Sequence, residues 1–464
     1  MLLGREYVRE FLLRAVKLAK HHGFDAEATY FGEQVSAMRS ARRGVHQTPI
    51  GREGELVLRM RRGKKAVEVV VSSPAEIGTM VRLGKELIAS AKPNPVLYPL
   101  VRQPKTLPEE TLGLQVVPKQ FWDDLSIKRR AFQAINKAAD ATPGWYGAGY
   151  FLCVANETGV ANSAGLIRYF TTYYSVFIVV ATGGKRKRTM TAYADEYARL
   201  PQEINFRGVV EQAFARARLT DELPLVDPLH GRTRVRMDVI LSPNFVADWL
   251  KAEAMTFSGY RIHTGQSYVS SRVQGKSRIA GRNITLRDDW LNPLCLKLPF
   301  DLDGRNRQKV MLVDLGIYAG CTYGGMSAKM AGSKSTGHSG GELDRDLPDS
   351  LVLEGQDNSS EDLVRSCVRP TLVLMWSHYN ADMYEKEGMW TATGHHGVFL
   401  AKGGKLVAVC PPTRIRLRTL DALRRVQKMS ASKPIYDVEC YPLSPPDSAV
   451  VPWMKIRGVE FINL

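Results

Sequence analysis

Near the start of the chain, Val8, Phe11, Leu12, Ala15, Val16 and Ala19 recur at helical spacing, which predicts an amphipathic helix over residues 7–21. Strands are expected next at 26–36, 56–60 and 66–71, where β-branched and apolar residues cluster between turn-forming ones, and a second helix at 74–91. The same order then returns. A helix is expected at 124–139, strands at 145–155, 159–163, 167–182 and 189–198, and a closing helix at 206–218. Within this second unit VANETGVANSAG reads as a hairpin, with Asn156 and Gly159 supplying the turn. The pattern predicts an N-terminal α/β domain, residues 1–225, built from duplicated α-β-β-β-α units. A proline-rich connector at about 92–120 joins them, since proline removes backbone donors and blocks helix continuation.

The segment ELPLVDPLHGRTR, at 222–234, reads as a boundary. Beyond it, in an expected C-terminal domain at 232–464, short apolar runs such as VRMDVIL, TLVLMW, KLVAVC and WMKIRGVEFI are separated by turn signals, which argues for a β-rich region. Helices are expected at 243–257, with Ser242 as N-cap and Pro243 at the first helical position, and at 360–367 and 420–430. Helices and strands are grouped rather than alternating, so the fold class is α+β.

The chain has 464 residues, enough for two or three buried cores. No apolar stretch reaches bilayer length, and the charges in the opening helix interrupt any signal-peptide core. The six cysteines show no CxxC spacing, which fits a reducing compartment and a cytoplasmic location. Net charge is +17. Its small clusters at 59–65 and 185–188 lie between strand-like runs and read as basic hairpin tips, so a nucleic-acid partner is not indicated.

No His is followed by Glu, so neither HExxH nor HExxxH occurs, and no Walker A loop is present. The passages VILSPNFVADWLKAEAMTFSG, ITLRDDW, FDLDGRNRQKVMLVDLGIYAG, SAKMAGSKSTGHS, PTLVLMWSHYNADMYEKEGMWTATGHHGVFLAKGGKL and VVPWMKIRGVEF, in that order, resemble the core of the TldD/PmbA family over most of 235–464. In that family the TldD members are zinc peptidases whose HExxxH helix supplies two His ligands and a Glu general base, with a Cys near the C-terminus able to complete the coordination. A catalytic zinc of that kind keeps an open position for a water of lowered pKa. The TldE/PmbA members lack the motif and pair with TldD to act on unfolded or small peptides, including ribosomally made natural-product precursors.

The resemblance places Ala252 and Phe257 at the two His positions, Glu253 at the general base, and Cys440 near the tail Cys. Neither a methyl nor a phenyl group donates to zinc. The resemblance therefore implies a TldE-like chain with no metal of its own, zinc in a TldD-like partner, and a heterodimer or homodimer that binds extended peptide and no membrane.

Other residues keep two readings open. His338, in SKSTGHSGG, lies in a loop that either presents backbone N–H groups to an anionic or peptide ligand or is a plain turn. His395 and His396 are adjacent in an expected strand, so their rings should point to opposite faces and not share a metal. Trp376 and Trp390 are core or cleft walls. His338, His395, His396 and Trp376 are the candidate substrate-binding residues, and Glu253 the candidate catalytic one. Two alternatives stand beside this reading. One is a stand-alone peptidase or peptide-modifying enzyme with a metal site relocated to Cys440 and some of His263, His338, His378, His395 and His396. The other is a nucleic-acid-binding accessory protein.

Overall fold

In the computed structural model, which describes residues 2–185, 189–269, 277–340, 346, 348–436 and 446–463, the first half runs α1 (Arg5–His21), β1 (Asp25–Ala41), β2 (Gly44–Gln47), β3 (Ile50–Arg62), β4 (Lys65–Val71), α2 (Ile77–Ser90), α3 (Pro108–Thr111), α4 (Leu125–Asp140), β5 (Trp145–Asn162), β6 (Ile167–Gly183), β7 (Met190–Ala198) and α5 (Phe206–Glu222). Its strands form one antiparallel sheet in the order β4-β3-β1-β5-β6-β7, with β2 on β1. β1 and β5 meet at the centre, Gly32 opposite Glu157 and Met38 opposite Phe151. The two α-β-β-β-α units thus mirror each other about that seam.

The helices pack on one face of this sheet. Successive strand residues alternate faces, and Gly147, Gly149 and Gly159 share the parity that meets them: a Cβ at Gly147 or Gly149 would collide with Ile135 of α4, and one at Gly159 with Val8 of α1. This corrects the expected hairpin. Gly159 is there to let α1 approach, not to make a turn, and β5 runs unbroken, with Asn156 paired to Glu33 on one side and Thr172 on the other. The true turn lies between Asn162 and Ile167.

The basic cluster at 59–65 is only partly a hairpin tip. Arg59 is an inner residue, 3.0 Å from Glu27 and 2.9 Å from Glu68, and Arg61 donates to the Tyr98 carbonyl at 2.8 Å. Residues 186–188 of the second cluster lie outside the described residues.

The second half runs β8 (Arg234–Leu241), α6 (Pro243–Ala254), α7 (Gly259–His263), β9 (Leu286–Asp288), β10 (Val310–Asp314), β11 (Ile317–Tyr318), α8 (Gly325–Ala331), β12 (Ser350–Leu353), α9 (Ser360–Arg365), β13 (Thr371–Tyr384), β14 (Met389–Lys402), β15 (Lys405–Cys410), β16 (Thr413–Arg418), α10 (Thr419–Arg424), β17 (Val426–Tyr436) and β18 (Ser448–Ile462). β18 pairs with both β16 and β8, and β13 links β8 to β14, so β8, β13, β14, β16 and β18 close into a ring. The helix expected at 420–430 stops at Arg424, and β17 begins at Val426. Leu420, Leu423 and Val426 have the three-residue spacing of a helix face, but pairing of Val426–Tyr436 with β18 overrides it.

The halves share a core. Val209, Ala213 and Phe214 of α5 cluster with Phe151 and Phe177 of the first sheet and with Val373, Met375 and Phe399 of the second. On the opposite face, Leu296 and Tyr436 cover Val154 and Tyr174, while Leu298 and Phe300 cover Val160 and Phe170. The C-terminal half therefore holds the β7 side of the first sheet from two directions. The connector is fastened as well: Glu109 of α3 and Arg168 of β6 form a fully buried pair, and the same guanidinium donates to the Gly304 carbonyl at 3.0 Å and Asn306 Oδ1 at 2.6 Å. Among the described residues, no helix is long and apolar enough to cross a membrane.

Candidate functional site

Helix α6 is the core element of the second half. Ser242 caps it, accepting from the Phe245 N–H at 3.3 Å and donating to the Met375 carbonyl at 2.6 Å, and Pro243 follows at the first helical position. Phe245, Val246, Trp249 and Leu250 are buried among β8, β13, β14 and β18 residues. Burial of this kind stabilises by roughly 1.5–3 kcal/mol per large side chain. Beyond Ala254 the chain tightens into a 3-10 turn, Met255–Phe257, and Ser258 then caps α7.

Glu253 is 6% exposed on this helix. Burial pushes its carboxyl up to about 7; hydrogen bonds from the Tyr268 and Thr419 side chains oppose the shift, and Asp382 beside it adds to it. Ala252, Glu253, Arg261, Gln266, Tyr268 and Asp382 line a small cavity. Thr419 is fixed from the other side by the Trp249 indole N–H at 3.0 Å. Glu253 is buried whereas Asp382 is exposed at the cavity mouth; burial and the neighbouring carboxylate both disfavour ionisation of Glu253, so Glu253 can hold a proton near neutral pH. Asp382, Tyr268 and Thr419 were not legible as partners in the sequence, since they lie on different segments; Asp382 falls within the family-like passage at 370–406, but nothing there marks it as a neighbour of Glu253.

The two flanking positions offer no metal donor. Ala252 is a half-buried methyl on the cavity wall. Phe257 is buried, its ring stacked on Tyr318 with centroids 6.4 Å apart and planes 10° from parallel. Cys440 lies outside the described residues. Among the described residues, no group of three or more His, Cys, Asp or Glu side chains is placed to hold a metal ion.

His338 is buried. Its Nε2 is 3.0 Å from Asp288 Oδ1, and its Nδ1 is 2.9 Å from Thr336 Oγ1 and 3.0 Å from the Thr336 carbonyl. Burial raises the Asp288 carboxyl, but attraction and a hydrogen bond from His338, with help from Arg307 and the Ser350 N–H, leave it below its ordinary value. Residues 337–341, GHSGG, also have the G-x-S-x-G spacing of a nucleophile elbow. Ser339 is not at a strand-to-helix turn, however: it lies in a buried loop with its N–H on Asp301 at 2.9 Å.

His395, His396 and Trp376 do come together, and here the expected geometry is corrected. Trp376 pairs with His395 but Leu374 with Val398, a bulge in β14. His396 takes φ +52° and Gly397 φ +118°, which turns both imidazoles to one side, ring centroids 4.2 Å apart. A bulge re-aims side chains in this way. His378 stands 5.5 Å from His395, and Tyr193 of β7 packs on Trp376 at 4.6 Å and on His396 at 6.5 Å. Burial, then the neighbouring His395 and His378, lowers the His396 pKa to about 4.

An antiparallel sheet with helices on one face, fastened to a ring-closed sheet around one buried helix, is also the architecture of three solved structures. TldE from Thermococcus kodakarensis aligns over 98% of this chain and 100% of its own, with TM-score 0.80 and 16% identity. A proposed modulator of a DNA gyrase from Thermotoga maritima aligns over 97% and 99%, with TM-score 0.78 and 14% identity. A further proposed modulator of DNA gyrase, from Bacteroides thetaiotaomicron, aligns over 99% and 100%, with TM-score 0.75 and 14% identity. A comparison with curated proteins finds no match. At these identities the structures establish a shared fold. Residues 234–463 match the model of the PmbA/TldA metallopeptidase C-terminal domain. The C-terminal half of the chain thus belongs to the TldD/PmbA family.

Proposed function

We propose that this chain is the non-zinc, TldE/PmbA-like member of a cytoplasmic two-subunit peptidase. It pairs with a TldD-like, zinc-bearing paralogue and helps bind extended peptides or peptide precursors. One observation carries the reading: α6 keeps the acid at Glu253 but has a methyl at 252, and the 3-10 turn that follows it carries a core-packed phenyl at 257. A zinc held as in TldD does not fit these side chains, so no metal-dependent step runs through them.

What this chain contributes is surface and a proton-holding carboxyl at Glu253. Extended peptides can add to a sheet edge through main-chain hydrogen bonds, and β4 lies at one end of the first sheet. Purified alone, the chain is expected to leave peptides uncut; mixed with a TldD-like partner, it is expected to support chelator-sensitive cleavage. Robust chelator-sensitive cleavage by the lone chain would overturn the assignment.

One observation favours a second reading, a stand-alone peptide-modifying enzyme: the gathering of His378, His395 and His396 at a strained bulge, since strain of this kind clusters at functional sites. Loss of a peptide-modifying activity of the lone chain on His395→Ala would support it, and unchanged behaviour would end it.

A further inference from the structure

Strand β16 reads TRIRLR. Its alternation sends Ile415 and Leu417 into the core and leaves Arg414, Arg416 and Arg418 on the opposite face. Glu460 of β18 lies in register with Arg416 on one side and with Arg236 of β8 on the other. Helix α10 then adds Arg424, and Arg425 follows it. Arg236, Arg416, Arg418, Arg424 and Arg425 line a single cleft of about 560 Å³, whose walls also carry Met389, Asp421 and Glu460.

The acids there are already engaged. Glu460 is bound by Arg416, Glu387 by Arg418 at 2.7 Å, and Asp421 by Arg424 at 3.6 Å. Arg425 is held differently: its Nε donates to the Asp421 carbonyl at 3.0 Å and its Nη1 to the Gly458 carbonyl at 2.7 Å. Main-chain carbonyls orient a guanidinium without cancelling its charge. Arg236 is exposed at the rim. Arg416 Nε is shut off from solvent with no hydrogen-bond partner. Five guanidiniums against three carboxylates leave the concavity positive, and like charges gathered in a cleft focus the field onto an incoming anion.

We infer that this cleft binds the carboxylate side chains of an acidic peptide segment. The inference rests on the peptide-binding reading above and names the substrate class for it. The guanidinium fork matches a planar carboxylate bidentately. The cationic surface is a bounded pocket with a methionine on its wall, whereas a nucleic-acid backbone is tracked by an extended basic stripe.

The test uses the full chain and measures fluorescence anisotropy of labelled oligoglutamate, oligolysine and oligothymidylate at low and physiological salt. Oligoglutamate is expected to bind and oligolysine not to. The double variant Arg236→Glu/Arg424→Glu, at two exposed positions, should weaken oligoglutamate by at least about tenfold. Arg14→Glu/Arg82→Glu, an equal charge change on α1 and α2, should leave it nearly unchanged.

Three results would overturn the inference: no oligoglutamate binding, equal loss in both double variants, or tighter binding of oligothymidylate that the cleft variant abolishes. Co-purification of the unsubstituted chain with a TldD-like partner reads the subunit assignment separately. Absence of pairing with intact oligoglutamate binding sinks that assignment alone.

Discussion

Two regions of the molecule, one in each half, use their cations in opposite ways, although the second half also buries paired cations such as Lys251, 3.2 Å from Asp447. In and around the first sheet, positive side chains are internal fasteners. Arg168 is buried against Glu109, Lys128 against Asp124, and Arg59 sits 3.0 Å from Glu27. In the second half, Arg236, Arg424 and Arg425 stand around an open cleft whose acids are already paired. The net charge of +17 therefore includes one population that fixes the fold and another that is left around an open cleft. Composition alone merges them.

Removing a fastener should have the largest effect. Arg168→Ala leaves Glu109 buried and unpaired and frees the 304–306 loop, so unfolding free energy by urea denaturation should fall by about 3–5 kcal/mol. Phe257→Ala, which empties the core position where a ligand would otherwise stand, should cost about 3 kcal/mol in the same assay. If Phe257→Ala were neutral, position 257 would not be core, and the distinction between a packed helix and a metal helix would weaken.

Glu253 gives a pH-resolved version. Its carboxyl rises from 4.5 in the unfolded chain to about 7 in the fold, so the fold prefers it protonated. The stabilisation is complete below pH 4.5 and is lost as pH climbs through 7. Glu253→Gln, which cannot ionise, should therefore gain stability relative to the parent as pH rises across that window, by an amount on the order of 1–3 kcal/mol at its upper end. A parallel pair of melting curves would remove the buried acid from the account. Arg236→Glu should have the smallest effect, shifting stability by no more than about 0.5 kcal/mol, because Arg236 is exposed on the cleft rim.

Much of this architecture was legible from the residues. The stripe from Val8 to Ala19 is buried against the first sheet, and Ser242–Pro243 starts α6 as its capping chemistry requires. What failed did so for tertiary reasons. Gly159 looks like a turn residue until α1 is seen crossing over it. Val426 continues a helical spacing until β18 claims it. His395 and His396 point one way only because a left-handed residue interrupts the alternation. At the candidate site, Glu253 could be found through a family pattern. Asp382, which adds to its upward shift, lies 129 positions further along the chain (382 − 253), in a family-like passage that does not mark it as a partner of Glu253.

Zinc content per chain is the most direct probe of the central claim. After purification with zinc supplied, elemental analysis is expected to find far less than one equivalent in the lone chain and one equivalent per complex with a TldD-like partner. One tightly held equivalent in the lone chain, lost on Cys440→Ala, would contradict it.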